Sequence, residues 1–556
     1  MKASKLFLKS VAKLGIRKVF GIVGGEAQAM QFDEEPSLDF YLTRHEFAAG
    51  IMADVFGRMT GEPQMCYSTF GPGLSNLSTG IVSAILDRSP MLAVSAQIPR
   101  AEIQFNQTHQ CIDNVALMRP ITKFAAQIEN VLEIPALLKT ALEIAVNDIP
   151  GPVYLSFPTD VMEQEISDAE AEALLQTLSP VKRKPAPLPD FRQLNIVLSK
   201  IKAAEKPLVI VGNQLIRDNC CEELVEFINA HNIPVISTLA SKGIIPEDHP
   251  LFITTCNKYV DKIYHDDLVS QIFDNSDLLL LIGYDFGEDL KSSLWKNKKE
   301  TIVINTHYND MGTVFQPDIL FTGDLKQVLP YIMQQGIAPK EDNEALLELK
   351  QLFDKRAPFV SDEFSNIPLI IQSVRNALGE SGVLCSDIGL HKQYAGLLSK
   401  TYKPDTFMCS NVCGTFGFGL PAGLGAKLAR PAERVAVICG DGGFHSTSQD
   451  LETAVRYNIP VVIVVLKDNA FGLIKYYQFL ERDEIFKRSV EFGNVDFVKL
   501  AEANGMKSIQ LEAPEQLEAL MELAFSTNKP MLIEIPIVYD YRFREVAVPE
   551  EMEIND

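Results

Sequence analysis

Short, uninterrupted apolar runs alternate with longer amphipathic stretches along almost the whole chain. Residues 19–23, 65–68, 91–95 and 153–156 are predominantly apolar and lack the polar alternation of a half-exposed strand. That pattern predicts strands buried on both faces. Between the first two, residues 45–59 repeat their apolar positions at helical spacing. The same rhythm returns at 207–211, 234–238, 277–282 and 301–304, and again at 382–386, 434–439, 460–466 and 530–535. Strand, helix, strand in that order predicts an α/β fold with parallel sheets.

Two interruptions divide the series. Residues 179–190 hold four prolines and three basic residues, which neither a helix nor a central strand accepts, so they read as a linker. A polar stretch at 336–343 makes the second break. The expectation is three successive doubly wound parallel-sheet domains at 1–178, 191–335 and 344–556. No short tandem repeat is visible, and 556 residues suit three units of this kind.

Charge and cysteine content narrow the function. Lys plus Arg total 51 against 73 for Asp plus Glu, a formal charge of −22. Such a surface repels phosphate backbones and anionic lipid, which argues against nucleic-acid or membrane partners. No apolar run approaches the length of a membrane span. The opening residues, with Lys5, Lys9 and Lys13, read as a first amphipathic helix rather than a signal peptide. The nine cysteines are odd in number and scattered, and Cys409-x-x-x-Cys413 has no histidine pair to complete a zinc site. Reduced thiols and a cytoplasmic location are expected.

Candidate chemistry concentrates in residues 435–477. A strand runs into Gly440-Asp441-Gly442-Gly443, a helical segment follows, and a second strand leads to Lys467-Asp468-Asn469-Ala470. A right-handed βαβ crossover sets both loops at the same carboxyl edge. Gly-Asp-Gly alone is as readily a turn after a strand. A second acid at the end of the neighbouring strand instead suits Mg2+, which takes one or two carboxylates with phosphate oxygens and water. The glycines would let backbone N–H groups approach a phosphate.

Gly440-Asp441-Gly442, followed after 24 residues by Lys467-Asp468-Asn469, resembles the thiamine diphosphate motif. The resemblance is to the acetolactate synthase-like family of thiamine enzymes, and it extends over essentially the whole chain. It implies a pyrimidine-binding, a central and a diphosphate-binding domain. The metal would be Mg2+, held by Asp441, Asp468 and the Ala470 carbonyl. Asp468 stands where the family often has Asn. Leu42–Gly61 is similar to the pyrimidine-domain motif, whose glutamate would be Glu46, sharing a proton with N1′ of the cofactor. Thr69–Asn76 and Asp87–Pro90 match two further elements. Ser386–His391 resembles the segment whose backbone, at Gly389, and His391 contact the diphosphate together with Gly440, Gly442 and Gly443. In 411–421, Gly414 would present its carbonyl to the 4′-amino group and Phe416 would be the wedge that bends the cofactor.

Within the family, Phe20–Ala27, Asn106–Cys111, Tyr284–Trp295 and Gly442–Ser446 most resemble carboxyethylarginine synthases. That implies a carbanion–enamine carboligase joining a three-carbon donor to an amine acceptor. His109 and Gln110 would then stand beside the reacting carbon, able to relay protons without a fixed charge. Tyr259 and Lys392 would lie on the substrate side, and His445 is a weaker candidate. Lys392 departs from that pattern, because an Arg there would grip phosphate or carboxylate with a planar fork. His391 is instead what acetolactate synthases carry. Acetolactate synthesis from two pyruvates is therefore the first alternative and 2-oxo acid decarboxylation the second. A catalytically dead scaffold would be expected to have lost Glu46 or a metal carboxylate. A nicotinamide dehydrogenase would need a G-x-G-x-x-G after a strand, which is missing. Flavin in the central unit stays open. The family also implies a homodimer or dimer of dimers, with Glu46 and Asp441 of different subunits meeting at each site.

Overall fold

A computed structural model describes residues 1–103, 109–256, 266–285, 299–307, 316–355, 367–482 and 484–539. Among the described residues eighteen strands form three six-stranded sheets, every pairing within them parallel. The first sheet comprises β1 (Lys18–Gly21), β2 (Asp39–Leu42), β3 (Gln64–Ser68), β4 (Met91–Gln97), β5 (Phe124–Gln127) and β6 (Pro152–Pro158). The second holds β7 (Pro207–Val211), β8 (Val235–Thr238), β9 (Phe252–Cys256), β10 (Leu278–Ile282), β11 (Glu300–Asn305) and β12 (Ile319–Thr322). The third holds β13 (Val383–Ser386), β14 (Phe407–Cys409), β15 (Val435–Gly440), β16 (Val462–Lys467), β17 (Lys507–Gln510) and β18 (Met531–Pro536).

The strand orders are β2-β1-β3-β4-β6-β5, β12-β11-β10-β7-β8-β9 and β14-β13-β15-β16-β18-β17. The first and third sheets therefore share one topology, and the central sheet has another. Residues 179–190 are irregular and ordered: Val181 donates to the Leu14 carbonyl at 3.0 Å, and Asp190 caps the next helix through the Arg192 N–H at 2.9 Å. No helix among the described residues is long and apolar enough to cross a membrane.

The outer units pack against each other through two helices that follow the second strand of each sheet. These are Glu46–Thr60 after β2 and Gly419–Ala429 after β14. Glycine makes this approach possible, since a Cβ on Gly425 would lie 2.7 Å from the Met52 carbonyl oxygen. A buried ion cluster closes the joint. Arg58 pairs with Asp54 at 2.6 Å and Asp87 at 2.8 Å, and donates to the Cys409 carbonyl at 2.9 Å. Removing one member would strand a buried charge, typically at a cost of about 3–5 kcal/mol.

Candidate functional site

In the third sheet, β15 ends at Gly440 and the Asp441–Thr447 helix begins at the next residue. One Asp441 oxygen accepts the Gly442 N–H at 2.9 Å, and the other accepts the Asn469 N–H at 2.6 Å, tying the loops after β15 and β16 together. Asn469 takes φ +55°, a left-handed conformation that Asn tolerates. Asp468 then faces Asp441, and its Oδ2 is buried without a hydrogen-bond partner. Burial raises both carboxyls, Asp441 to about 6 and Asp468 to about 7, the latter also through the Asp441 charge. The Asn469 carbonyl accepts the Phe492 N–H at 3.1 Å, whereas no backbone hydrogen bond among the described residues ends on the Ala470 carbonyl. Two facing carboxylates, one orphaned oxygen and a free carbonyl at a strand edge fit a hard divalent cation.

The surrounding glycines are needed first for packing. A Cβ on Gly442 would sit 2.8 Å from the Phe471 ring, and one on Gly443 would sit 2.8 Å from Asp387 Oδ2. From sequence both glycines read as room for a phosphate, and the structure adds this steric demand. Gly389 likewise leaves room for the His391 ring, which also lies against Gly440. His391 is buried, its Nε2 3.1 Å from the Asp387 carbonyl, and burial lowers its pKa to about 4, so the imidazole is neutral. Gly414 has φ +65° with open space where a Cβ would be. Phe416 is 43% exposed and packs edge-on to Phe471, with ring centroids 5.5 Å apart.

Asp387 is a residue that sequence reasoning quoted without a role. Its Oδ1 accepts the Ile388 N–H at 2.6 Å and the Gly417 N–H at 3.0 Å, while Oδ2 is buried and unpartnered. It holds the 414–418 loop against the end of β13, and burial raises its pKa to about 6. An acid between a buried strand and a glycine was the available signal.

In the first unit, Glu46 opens its helix, and His45 caps that helix by accepting the Phe47 N–H on Nδ1 at 3.1 Å. Glu46 is 7% exposed, and its Oε2 accepts an N–H from the Asn76 amide at 3.0 Å. The partner is thus an amide and not a cation. Asn76 is a second residue the sequence left without a role. Gly73 lies under the same carboxylate, a Cβ there falling 3.3 Å from Oε1. Two residues earlier, Gly71 (φ +60°) lies against Gln110, itself at φ +60°. The Gln110 amide donates to His109 Nε2 at 3.0 Å, and Gln110 Oε1 is buried without a partner. The turn at 71–73 therefore brings Glu46, His109 and Gln110 into one corner.

Other candidates land elsewhere. Lys392 is buried, with its ammonium donating to the Ser410 carbonyl at 2.8 Å, so it supports the loop ahead of Gly414. His445 is exposed and packs on Phe497. Tyr259 and Asn106 lie outside the described residues, as do residues 286–295 of the Tyr284–Trp295 segment. The nine cysteines are free thiols.

Three family models match the chain: "Thiamine pyrophosphate enzyme, N-terminal TPP binding domain" over residues 1–117, "central domain" over 194–332, and "C-terminal TPP binding domain" over 387–535. Similar proteins include a probable acetolactate synthase large subunit from Methanocaldococcus jannaschii, 33% identical over 97% of this chain and 92% of its own length. An acetolactate synthase from Bacillus subtilis is 29% identical over 97% and 93%. The acetolactate synthase isozyme 3 large subunit of Escherichia coli is 27% identical over 97% and 95%.

Proposed function

We propose acetolactate formation from two short 2-oxo acids as the reaction, on the premise that this chain belongs to the thiamine pyrophosphate-dependent enzymes of the acetolactate synthase family. The observation that carries the reading is the full-length similarity to proteins named acetolactate synthase. It favours the first alternative drawn from the sequence over amine alkylation of the carboxyethylarginine type. The commitment of Lys392 to the Ser410 carbonyl supports the same choice, since that ammonium is not free to grip a donor phosphate.

In this reading Asp441, Asp468 and the Ala470 carbonyl hold Mg2+. Backbone N–H groups at 440–443, with Gly389 and the neutral His391, surround the diphosphate. Thiamine diphosphate, when bound, would supply a ring carbon that becomes nucleophilic on losing its proton and an electron sink for decarboxylation of a 2-oxo acid. Phe416 and the Gly414 carbonyl would lie on the pyrimidine side, the carbonyl as an acceptor for the 4′-amino group. Glu46, buried and hydrogen-bonded by the Asn76 amide, would exchange a proton with the pyrimidine nitrogen. His109 and Gln110 stand on the substrate side, where an imidazole can move protons at the reacting oxygens and an amide can hydrogen-bond them. The two halves of each site come from different subunits of a homodimer or larger assembly.

The test is a mass-spectrometric product assay with Mg2+ and thiamine diphosphate. Pyruvate alone is expected to yield acetolactate and CO2. An arginine adduct formed from glyceraldehyde phosphate, with no acetolactate from pyruvate, would overturn the proposal. Acetaldehyde as the sole product would replace it with simple decarboxylation.

A further inference from the structure

We propose that Asp450 and Asp87 are reciprocal positioning residues, each reaching from one outer unit to clamp the loop ahead of the other unit's site residues. The inference rests on the reading of Glu46 as the proton carrier on the pyrimidine side.

Asp450 ends the Ser448–Asp450 turn that continues the Asp441–Thr447 helix, so one short run of chain leads from the metal carboxylate to it. Its Oδ1 accepts the Arg44 N–H at 2.9 Å and the Thr453 hydroxyl at 2.9 Å. Arg44 lies two residues ahead of Glu46, and the donor is its backbone amide rather than its guanidinium. A second clasp stands beside the first, because the Tyr457 hydroxyl accepts the Leu42 N–H at 2.8 Å where β2 ends. From the other side, Asp87 follows the Pro72–Leu86 helix and accepts the Val412 N–H at 3.2 Å and the Asn411 N–H at 3.4 Å. Those two residues lead directly to Gly414 and Phe416. In both directions the carboxylate comes from the connection after the third strand of its sheet, and the target is the loop that enters the inter-unit helix pair.

Packing alone does not require an acid at 450. Asp450 is fully buried, and its Oδ2 has no hydrogen-bond partner. A buried carboxylate with an unsatisfied oxygen is costly, and an amide would satisfy the Arg44 N–H with less desolvation. What Asp450 supplies is a side-chain acceptor that holds the Arg44 backbone amide, and with it the loop entering the Glu46 helix. Reacting groups displaced by about 1 Å can lose about 100-fold in rate, so such a strut acts on proton exchange at the cofactor without touching it.

The test reads hydrogen–deuterium exchange at C2 of thiamine diphosphate bound to the full-length protein with Mg2+, by quench and proton NMR. Asp450→Ala is expected to slow exchange about 10- to 100-fold while Mg2+-dependent cofactor affinity stays within about threefold. Asp450→Asn keeps the Oδ1 acceptor and is expected to recover most of the rate. Tyr457→Phe should slow exchange in the same direction by a smaller factor. A folded Asp450→Ala protein exchanging at the wild-type rate overturns the proposal, as does an Asn variant as slow as the Ala variant. If Asp450→Ala does not fold, Tyr457→Phe decides, and wild-type exchange in that variant is the refuting result. Glu46→Gln is the control: unchanged exchange there refutes the role of Glu46 instead.

Discussion

The first and third sheets have the same strand order but carry opposite chemistry at the same edge. After the third strand, the first sheet places the turn around Gly71 and Gly73 where the third sheet places Gly440–Gly443. After the fourth strand, Gln97 leaves the first sheet where Asp468 leaves the third. The unsatisfied buried polar atoms differ accordingly. Near the first edge they are neutral hydroxyls and an amide: Tyr67, Ser68, Thr69 and Gln110. Near the third they include carboxylates: Asp387 and Asp468, with Asp441 facing the latter. One backbone plan thus yields an edge whose unsatisfied groups are neutral and an edge whose unsatisfied groups are carboxylates. Topology fixes where a ligand can sit, and side chains decide what kind it is.

The sharpest break of this contrast is Glu46→Gln. It removes the one acid of the neutral edge while keeping its shape and its neighbour Asn76. Turnover is expected to fall about 100- to 10,000-fold, the usual range for one general acid–base step, with Mg2+ and cofactor binding retained. Turnover near wild type would remove Glu46 from the mechanism.

On the charged edge the variant is Asp441→Ala. It deletes a carboxylate and also the Asn469 N–H anchor that joins the two loops. Mg2+-dependent retention of thiamine diphosphate should weaken by about 100-fold or more, beyond the 10- to 100-fold typical of partners one step from a metal. Calorimetry giving equal affinity for both proteins, with and without chelator, contradicts the metal assignment.

Mixing the two inactive proteins asks how the edges meet. If each site joins Glu46 of one chain to Asp441 of another, random exchange makes half the dimers mixed, and one site in each mixed dimer is intact, so about a quarter of the sites return. Co-purification of differently tagged chains without any recovered activity would show that the site is not shared.

What the sequence revealed of this contrast follows burial. The twelve strands anticipated from apolar runs are the interior strands of the three sheets, whereas β2, β5, β9, β12, β14 and β17 escaped notice, and they are the six edge strands. Interior parallel strands are covered on both faces and must be apolar throughout. An edge strand is released from that demand: β17 (Lys507–Gln510) is largely exposed, and β9 carries two threonines. The charged edge was legible because Asp441 and Asp468 sit at strand ends in one βαβ unit. The neutral edge was legible at Glu46, His109 and Gln110 only through family resemblance. Asp387 and Asp450 hold backbone groups distant in sequence, and Asn76 holds the distant Glu46 carboxylate, and no local spacing announces such contacts.

The smallest effect is also the most direct measure of the charged edge. Burial raises the Asp441 and Asp468 carboxyls above the ordinary 3.8 when folded, the latter also through the Asp441 charge. Between roughly pH 4 and 7 the folded protein without metal therefore holds protons that the unfolded chain has released, and these groups make it less stable as pH rises. Asp387, Asp405 and Asp450, each raised to about 6 by burial, push in the same direction. Bound Mg2+ reverses the sign for the pair, because it requires both carboxylates charged. The expected outcome is a melting temperature that falls from pH 5 to pH 8 without Mg2+ and cofactor, and recovers at pH 8 when both are added. Asp468→Asn removes one titrating group and one charge from the pair, leaving the other buried acids in place, so its metal-free slope should be flatter. A difference of 1 kcal/mol corresponds to about 2–4 °C for units of this size, within reach of calorimetry. Metal-free curves for Asp468→Asn and wild type that run parallel from pH 5 to 8 would mean the facing carboxylates do not titrate there, and the contrast between the two edges would lose its electrostatic basis.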